Sequence, residues 1–171
     1  MFKVSQTKLQ RVLLIEPDVF KDFRGEYIET YNEGEFQKNG IDVKFIQDDF
    51  SVSKKNVLRG IHGDPDTWKL VSCPYGKFFL AVVNNDKNSD QYYQYETFTL
   101  SDENRKMVLI PPNFGNGHLV LSDLALFHYK QSTYYNPKKQ FTIKWNDPKL
   151  NIDWPIKNPI LSKRDEVGDF V

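Results

Sequence analysis

Apolar residues recur along this chain in short runs, many of them alternating with polar neighbours. The runs cover residues 12–15, 27–31, 43–46, 78–83, 92–100, 106–110, 118–121, 125–135 and 140–145. Between them lie residues 22–25, 54–56, 74–76, 84–89, 101–104, 111–117 and 136–139, rich in Gly, Pro, Asn, Asp and Ser, which favour turns. A period of two sends successive side chains to opposite faces, so the runs read as strands. Many short strands at this spacing predict an antiparallel sandwich or barrel. One short helix is predicted over residues 33–39, with Asn32 placed to cap it. Residues 147–171 carry Pro148, Pro155 and Pro159 and read as an extended tail over the barrel. With no linker, repeat or low-complexity segment, residues 1–171 read as one domain.

Composition supports the β reading. Aromatic residues make up 15% of the chain, led by 13 Phe and 9 Tyr, which suit half-buried pleated surfaces. Lys plus Arg equals Asp plus Glu at 23 each, so neither nucleic acid nor an anionic membrane is expected as a partner. A local basic site for a small phosphate ligand stays open. Cys73 is the one cysteine, which excludes an internal disulfide and points to the cytoplasm. The first twenty residues lack the apolar core of a signal peptide, and no window approaches 18 apolar residues.

Three histidines are the first candidates for chemistry. His62 closes the string Val57-Leu-Arg-Gly-Ile-His62, where Arg59 and Gly60 interrupt an apolar strand. That string is either an exposed edge strand or a functional one. His118 ends Pro111-Pro-Asn-Phe-Gly-Asn-Gly-His118, a turn running into a strand, and is either a core histidine or a site residue. His128 lies between Phe127 and Tyr129. Strand parity puts Phe127 and Tyr129 inside the barrel and His128 outside. Gly60-Ile-His62-Gly-Asp64 offers one His and one carboxylate, and there is no His-x-His, HExxH or Cys cluster, so no metal is expected. Glycine-rich phosphate loops and Gly-x-Ser-x-Gly are absent too, and no cofactor is implied.

A series of longer motifs runs nearly end to end. Asp22-Phe-Arg-Gly25 is followed by Glu29, then Phe45-Ile-Gln-Asp-Asp-Phe-Ser51, then Val57-Leu-Arg-Gly-Ile-His62 with Lys69-Leu-Val-Ser-Cys73. Ile110-Pro-Pro-Asn-Phe-Gly115, Tyr129-Lys130, Tyr134-Tyr135, Trp145-Asn-Asp-Pro148, Trp154-Pro155 and Leu161-Ser162-x-x-Asp165 complete it. In order and spacing these motifs resemble the dTDP-4-dehydrorhamnose 3,5-epimerase family. The resemblance implies an all-β, cupin-like antiparallel barrel or jelly roll with short flanking helices and an extended C-terminal tail. It also implies inversion of C3, C5 or both beside the ketone of a nucleotide-linked 4-keto sugar. Such a reaction needs a base for a weakly acidic C–H, donors aimed at the growing enolate oxygen, and an acid on the opposite face.

By the same resemblance, His62 is the base, Asp165 holds its far nitrogen, Lys69 stabilises the enolate and Tyr129 is the opposing acid. Arg59 contacts the diphosphate, a task suited to its planar fork. Gln47 and Asp49 meet the nucleotide, and Tyr134 stacks on the base. Arg24 and Glu29 reach across from a neighbouring subunit, which implies a homodimer made by exchanging an N-terminal strand.

Three departures from the family pattern cluster around the sugar. The family usually reads His-Gly-Phe where this chain reads Asn116-Gly117-His118. On a regular strand 116 and 118 share a face, which makes His118 the candidate replacement donor. Gly63-Asp64-Pro65-Asp66-Thr67-Trp68 replaces an aromatic residue and Gln after His62, and Asn84 stands where an Asp is usual near the lysine. The expectation is a conserved reaction on a different sugar, with Gly63 and Asn116 making room. The pattern is similar to the branch acting on GDP-linked 4-keto-heptoses for surface polysaccharide, capsule or lipopolysaccharide. The competing readings are a 3,4-ketoisomerase on the same fold and a non-catalytic sugar-binding barrel.

Overall fold

The computed structural model describes residues 2–168; residues 169–171, the end of the predicted tail, lie outside the described residues. In chain order the elements are β1 (Phe2–Gln6), β2 (Leu13–Pro17), β3 (Val19–Asp22), β4 (Gly25–Ile28), α1 (Glu33–Lys38), β5 (Gln47–Lys54), β6 (Leu58–Gly63), β7 (Lys69–Tyr75), β8 (Lys77–Asn84) and β9 (Tyr95–Ser101). After these come β10 (Met107–Ile110), β11 (Phe114–Val120), β12 (Leu124–Gln131), a 3-10 turn (Pro137–Lys139), β13 (Phe141–Thr142) and α2 (Lys163–Val167). One sheet runs β1-β2-β10-β7-β12-β5, a second runs β13-β6-β11-β8-β9, and β3 and β4 form a separate hairpin. The strand ladders are antiparallel. Apart from β1–β2 and β8–β9, strands that lie side by side in these two sheets are distant in sequence, as in a jelly roll, so the all-β cupin-like expectation agrees with the structure.

Three apolar clusters hold these layers. The first lies between the sheets and joins Val71 of β7, Phe78, Leu80 and Val82 of β8, Val120 of β11 and Phe127 of β12. The second covers the outer face of the smaller sheet, where Leu58, Ile61, Ala81, Val83 and Leu119 meet Leu150, Ile152 and Trp154 of the tail. The third packs Phe36 and Ile41 onto Ile15, Leu70, Met107 and Leu109 of the larger sheet. Strand β8 supplies Phe78, Leu80 and Val82 to one cluster and Ala81 and Val83 to another. That explains why its run is apolar throughout rather than alternating.

Helix α1 starts as expected, with Asn32 Oδ1 accepting from Glu35 N at 3.1 Å. Three expectations change. Residues 43–46 form no strand; Val43 and Phe45 pack under α1 instead. The predicted turn over 111–117 ends early, because β11 begins at Phe114. Its small residues permit close approach: a Cβ at Gly115 would stand 2.7 Å from Ile61 Cγ2. The tail is not extended throughout. It joins the barrel where Leu58 N donates to Ile160 O at 3.0 Å and Ile160 N to Asn56 O at 2.8 Å. It then turns into α2, whose first turn is capped by Ser162 Oγ accepting from Asp165 N.

Candidate active site

Strand β6 lies inside its sheet, between β13 and β11, and is not an exposed edge. A regular strand would turn Arg59 and His62 to opposite faces, because they are three residues apart. The register with β11 jumps between Asn116↔His62 and His118↔Arg59, so Gly60 and Ile61 together oppose Gly117. This bulge restores the parity. Leu58 and Ile61 pack outward against the tail, while Arg59 and His62 both line a cavity of about 360 Å³ between the sheets. Gly60 makes the bulge possible. Its φ is +123°, and a Cβ there would stand 2.7 Å from Asn116 O and collide with Gly117 Cα.

The cavity gathers side chains from both sheets and from the tail. Beside Arg59 and His62 stand Asn116 and His118 of β11, Lys69 of β7, Phe127, Tyr129 and Gln131 of β12, and Asp165 of α2. His62 Nε2 lies 2.6 Å from Asp165 Oδ1, across 103 residues of sequence. Asp165 is 2% exposed; its Oδ2 accepts from Ser162 Oγ at 2.7 Å and its Oδ1 from Gly60 N at 3.3 Å. Burial pushes this carboxyl up, but hydrogen bonds from His62 and Ser162 outweigh it and hold it below its ordinary value. An ionised Asp165 keeps the proton on Nε2 and leaves the Nδ1 lone pair of His62 for the cavity.

Lys69 is 8% exposed. Burial pulls its ammonium down to about 8, with the charge of Asp64 opposing the shift and that of Arg164 adding to it. Its Nζ donates to Asn116 Oδ1 at 3.4 Å. Burial, then the charge of Asp49, push the Tyr129 phenol up, so it holds its proton. His118 is buried face to face with Phe127, and its Nε2 has no hydrogen-bond partner. His128 points out of the barrel as expected, with Nε2 2.6 Å from Asp48 Oδ1 and Nδ1 2.9 Å from Ser72 Oγ.

Other sequence candidates lie elsewhere. Gln47 and Asp49 stand behind the wall. Gln131 Nε2 donates to Asp49 Oδ2 at 2.8 Å and Tyr135 N to Gln47 Oε1 at 2.8 Å, so they position two residues that do line the cavity. Tyr134 is 74% exposed over a separate hollow with Thr67 and Lys139, and its neighbour Tyr135 lines the cavity. Arg24 sits in the β3–β4 turn, bound to Asp22 at 2.6 Å, and Glu29 accepts from Asn32 Nδ2 at 3.3 Å. Neither lines the cavity of its own chain.

Two expectations about space and charge are corrected. Gly63 makes no room for a sugar: a Cβ there would collide with Phe114 O and the Phe141 ring. Asn84 does not face Lys69. It closes a turn, donating to Ser89 Oγ at 2.9 Å and accepting from Asp86 N at 2.9 Å. The carboxylate whose charge reaches Lys69 is Asp64, which is buried and held by Thr67 N at 2.8 Å and Gln140 Nε2 at 3.0 Å. In the sequence Asp64 stands out as a carboxylate near His62 and as part of the altered segment 63–68, and nothing there joins it to Lys69. Gln131 was missed although its parity with Phe127 and Tyr129 marks it as inward. Among the described residues no three His, Cys, Asp or Glu side chains converge as metal ligands, and no helix is long and apolar enough to cross a membrane.

The chain matches the dTDP-4-dehydrorhamnose 3,5-epimerase family over residues 6–170. It is 41% identical over 169 residues to the enzyme of that name from Methanothermobacter thermautotrophicus, covering 96% of this chain and 91% of the relative. The Escherichia coli enzyme is 42% identical over 168 residues, covering 95% and 91%. The Bacillus anthracis enzyme, solved with TDP and pyrophosphate, superposes with a TM-score of 0.97 at 30% identity over 100% of both chains. The Legionella pneumophila enzyme, solved with dTDP-4-keto-L-rhamnose, gives 0.95 at 35% identity over 99% and 93%.

Proposed function

Because the chain belongs to the dTDP-4-dehydrorhamnose 3,5-epimerase family, we propose that its cavity inverts carbon centres beside the ketone of a nucleotide-linked 4-keto sugar. The observation that carries this reading is the His62–Asp165 pair opening on the same cavity as Lys69 and Tyr129. His62 Nδ1 takes the proton from the carbon beside the ketone, and the C–H electron pair moves into the enolate, whose oxygen meets the Lys69 ammonium. Tyr129 gives its phenolic proton to the opposite face of the carbon. The resulting phenolate and imidazolium exchange protons with solvent. Asp165 stays ionised and stabilises the imidazolium while it exists.

For the finer substrate we propose a GDP-linked 4-keto-heptose used in surface polysaccharide. The support is Asn116, which stands beside Lys69 and opposite His62 where the family pattern has histidine. Room for the larger sugar has to come from this side, since Gly63 provides none. Arg24 and Glu29 support a homodimer with an exchanged N-terminal strand, because only a second copy could bring them to the cavity. The single buried thiol of Cys73 supports a cytoplasmic location.

The test is proton NMR in heavy water with a panel of GDP- and dTDP-linked 4-keto sugars. Deuterium entering at C3 or C5 is the expected result and identifies the centres and the nucleotide together. Migration of the carbonyl would establish a 3,4-ketoisomerase instead. Binding of the sugars without any exchange would leave a non-catalytic sugar-binding barrel.

A further inference from the structure

The β6 bulge divides the cavity wall into two stations. At one, Asn116 faces His62 and accepts from Lys69, so the proton-transfer groups gather there. At the other, further along the same strands, His118 faces Arg59. The His118 imidazole is 3% exposed, lies flat on Phe127 at 4.0 Å with 7° between the planes, and meets the Phe78 ring at 5.3 Å. Its Nε2 is shut off from solvent and has no partner. Native folds rarely leave a buried nitrogen unpaired, and the exceptions ask for an explanation. Arg59 next to it donates from Nε to Ser53 Oγ at 3.0 Å, and no carboxylate among the described residues pairs with its guanidinium. An unpaired cation and an unpaired imidazole on one wall together fit an anionic ligand.

We propose that His118 and Arg59 together bind the phosphate oxygens of the sugar nucleotide, which makes His118 a specificity-determining residue for the diphosphate. This deepens, and rests on, the nucleotide-sugar reading above. His118 is therefore not a substitute for the imidazole absent at 116, which belongs to the other station. Burial first, and the positive charge of Arg59 after it, push the imidazole down to about 3 in the ligand-free protein, so the ring meets its ligand as a neutral group. Nε2 is closed off in the ligand-free protein, so binding requires a half-turn about the Cβ–Cγ bond, which keeps the stack on Phe127 and exchanges the positions of the ring's carbon and nitrogen atoms. A phenylalanine at this position would keep the stack and lose the hydrogen bond.

Calorimetric titration with GDP and dTDP, without sugar and without turnover, tests this. His118→Phe should weaken the preferred nucleoside diphosphate about tenfold, by the same factor at pH 6 and pH 8. His118→Gln, which retains a neutral donor, should stay within about threefold. The parent nucleoside, lacking phosphates, should bind both proteins alike. In turnover the KM of His118→Phe should rise much more than its kcat falls. Thermal melting of each variant shows that the fold is retained. Wild-type affinity for the diphosphate in His118→Phe, an equal loss for the free nucleoside, or a wild-type protein that binds neither diphosphate would each overturn the proposal. Diphosphate binding that depends on His118, together with no deuterium exchange on any 4-keto sugar, would remove the epimerase reading and leave this station standing.

Discussion

Replacing His62 by asparagine keeps a side chain able to donate to Asp165 but removes the lone pair facing the cavity. Deuterium incorporation should fall by about 10²–10⁴-fold, the usual contribution of a general base, with little change in melting temperature. Tyr129→Phe separates the two halves of the reaction. His62 can still exchange the proton of the starting centre, so deuterium should enter with retention while inverted product falls; the reverse result would exchange the two roles. Lys69 supplies the pH dependence. Its ammonium is depressed to about 8 by burial, so the charge that steadies the enolate is lost as pH rises through that value. The rate should fall above about pH 8, and Lys69→Met should be slow with that limb removed. The sign for stability is opposite. Below pH 8 the fold carries the full cost of a buried ammonium, and this cost is relieved between about 8 and the unfolded value near 10.4. Lys69→Met should therefore gain stability over wild type below pH 8 and lose that advantage above pH 10.4, as denaturant unfolding across pH would show.

Strand β6 and helix α2 each carry one device on which the site depends. Gly60 combines a φ of +123° with close contact to β11, so Gly60→Ala strains the bulge that puts Arg59 and His62 on one face. A loss of about 1–3 kcal/mol is expected from that strain, with a larger fall in kcat than in nucleotide affinity if His62 moves more than Arg59. Ser162 both caps α2 and donates to Asp165. Ser162→Ala should cost about 1.5–3 kcal/mol, the range for a hydrogen bond to a charged group, and slow exchange by freeing the ring of His62. Urea unfolding and the NMR exchange rate, measured on the same samples, check both. A Ser162→Ala enzyme that is destabilised but fully active would show that the cap matters and the dyad contact does not.

At the scale of the whole molecule, the β3–β4 hairpin presents Phe23 at 98% exposure and exposed Phe20 and Tyr27 beside it. Apolar side chains gathered on a projecting hairpin mark an association surface. Sedimentation at micromolar concentration should give a dimer, and Phe23→Glu with Tyr27→Glu should shift it to monomer and lower activity, as the proposed exchange of Arg24 and Glu29 between copies requires. Alternation with period two was enough to read an all-β barrel from the chain, since a sheet must bury one face of each strand. The same parity placed Tyr129 inside and His128 outside, and Asn32 announced α1 because a side-chain oxygen must meet the free N–H groups of a first turn. Other features depend on what stands across the fold. The bulge that puts Arg59 and His62 on one face is a register jump against β11, and nothing in Val57-Leu-Arg-Gly-Ile-His62 states it. That Phe141 fills the space beside Gly63, that Asp64 rather than Asn84 faces Lys69, and that His118 stands opposite Arg59 in the register are likewise decided across the fold. Periodicity determines which face a side chain takes within its own strand; only tertiary packing decides which strand lies opposite and at what register.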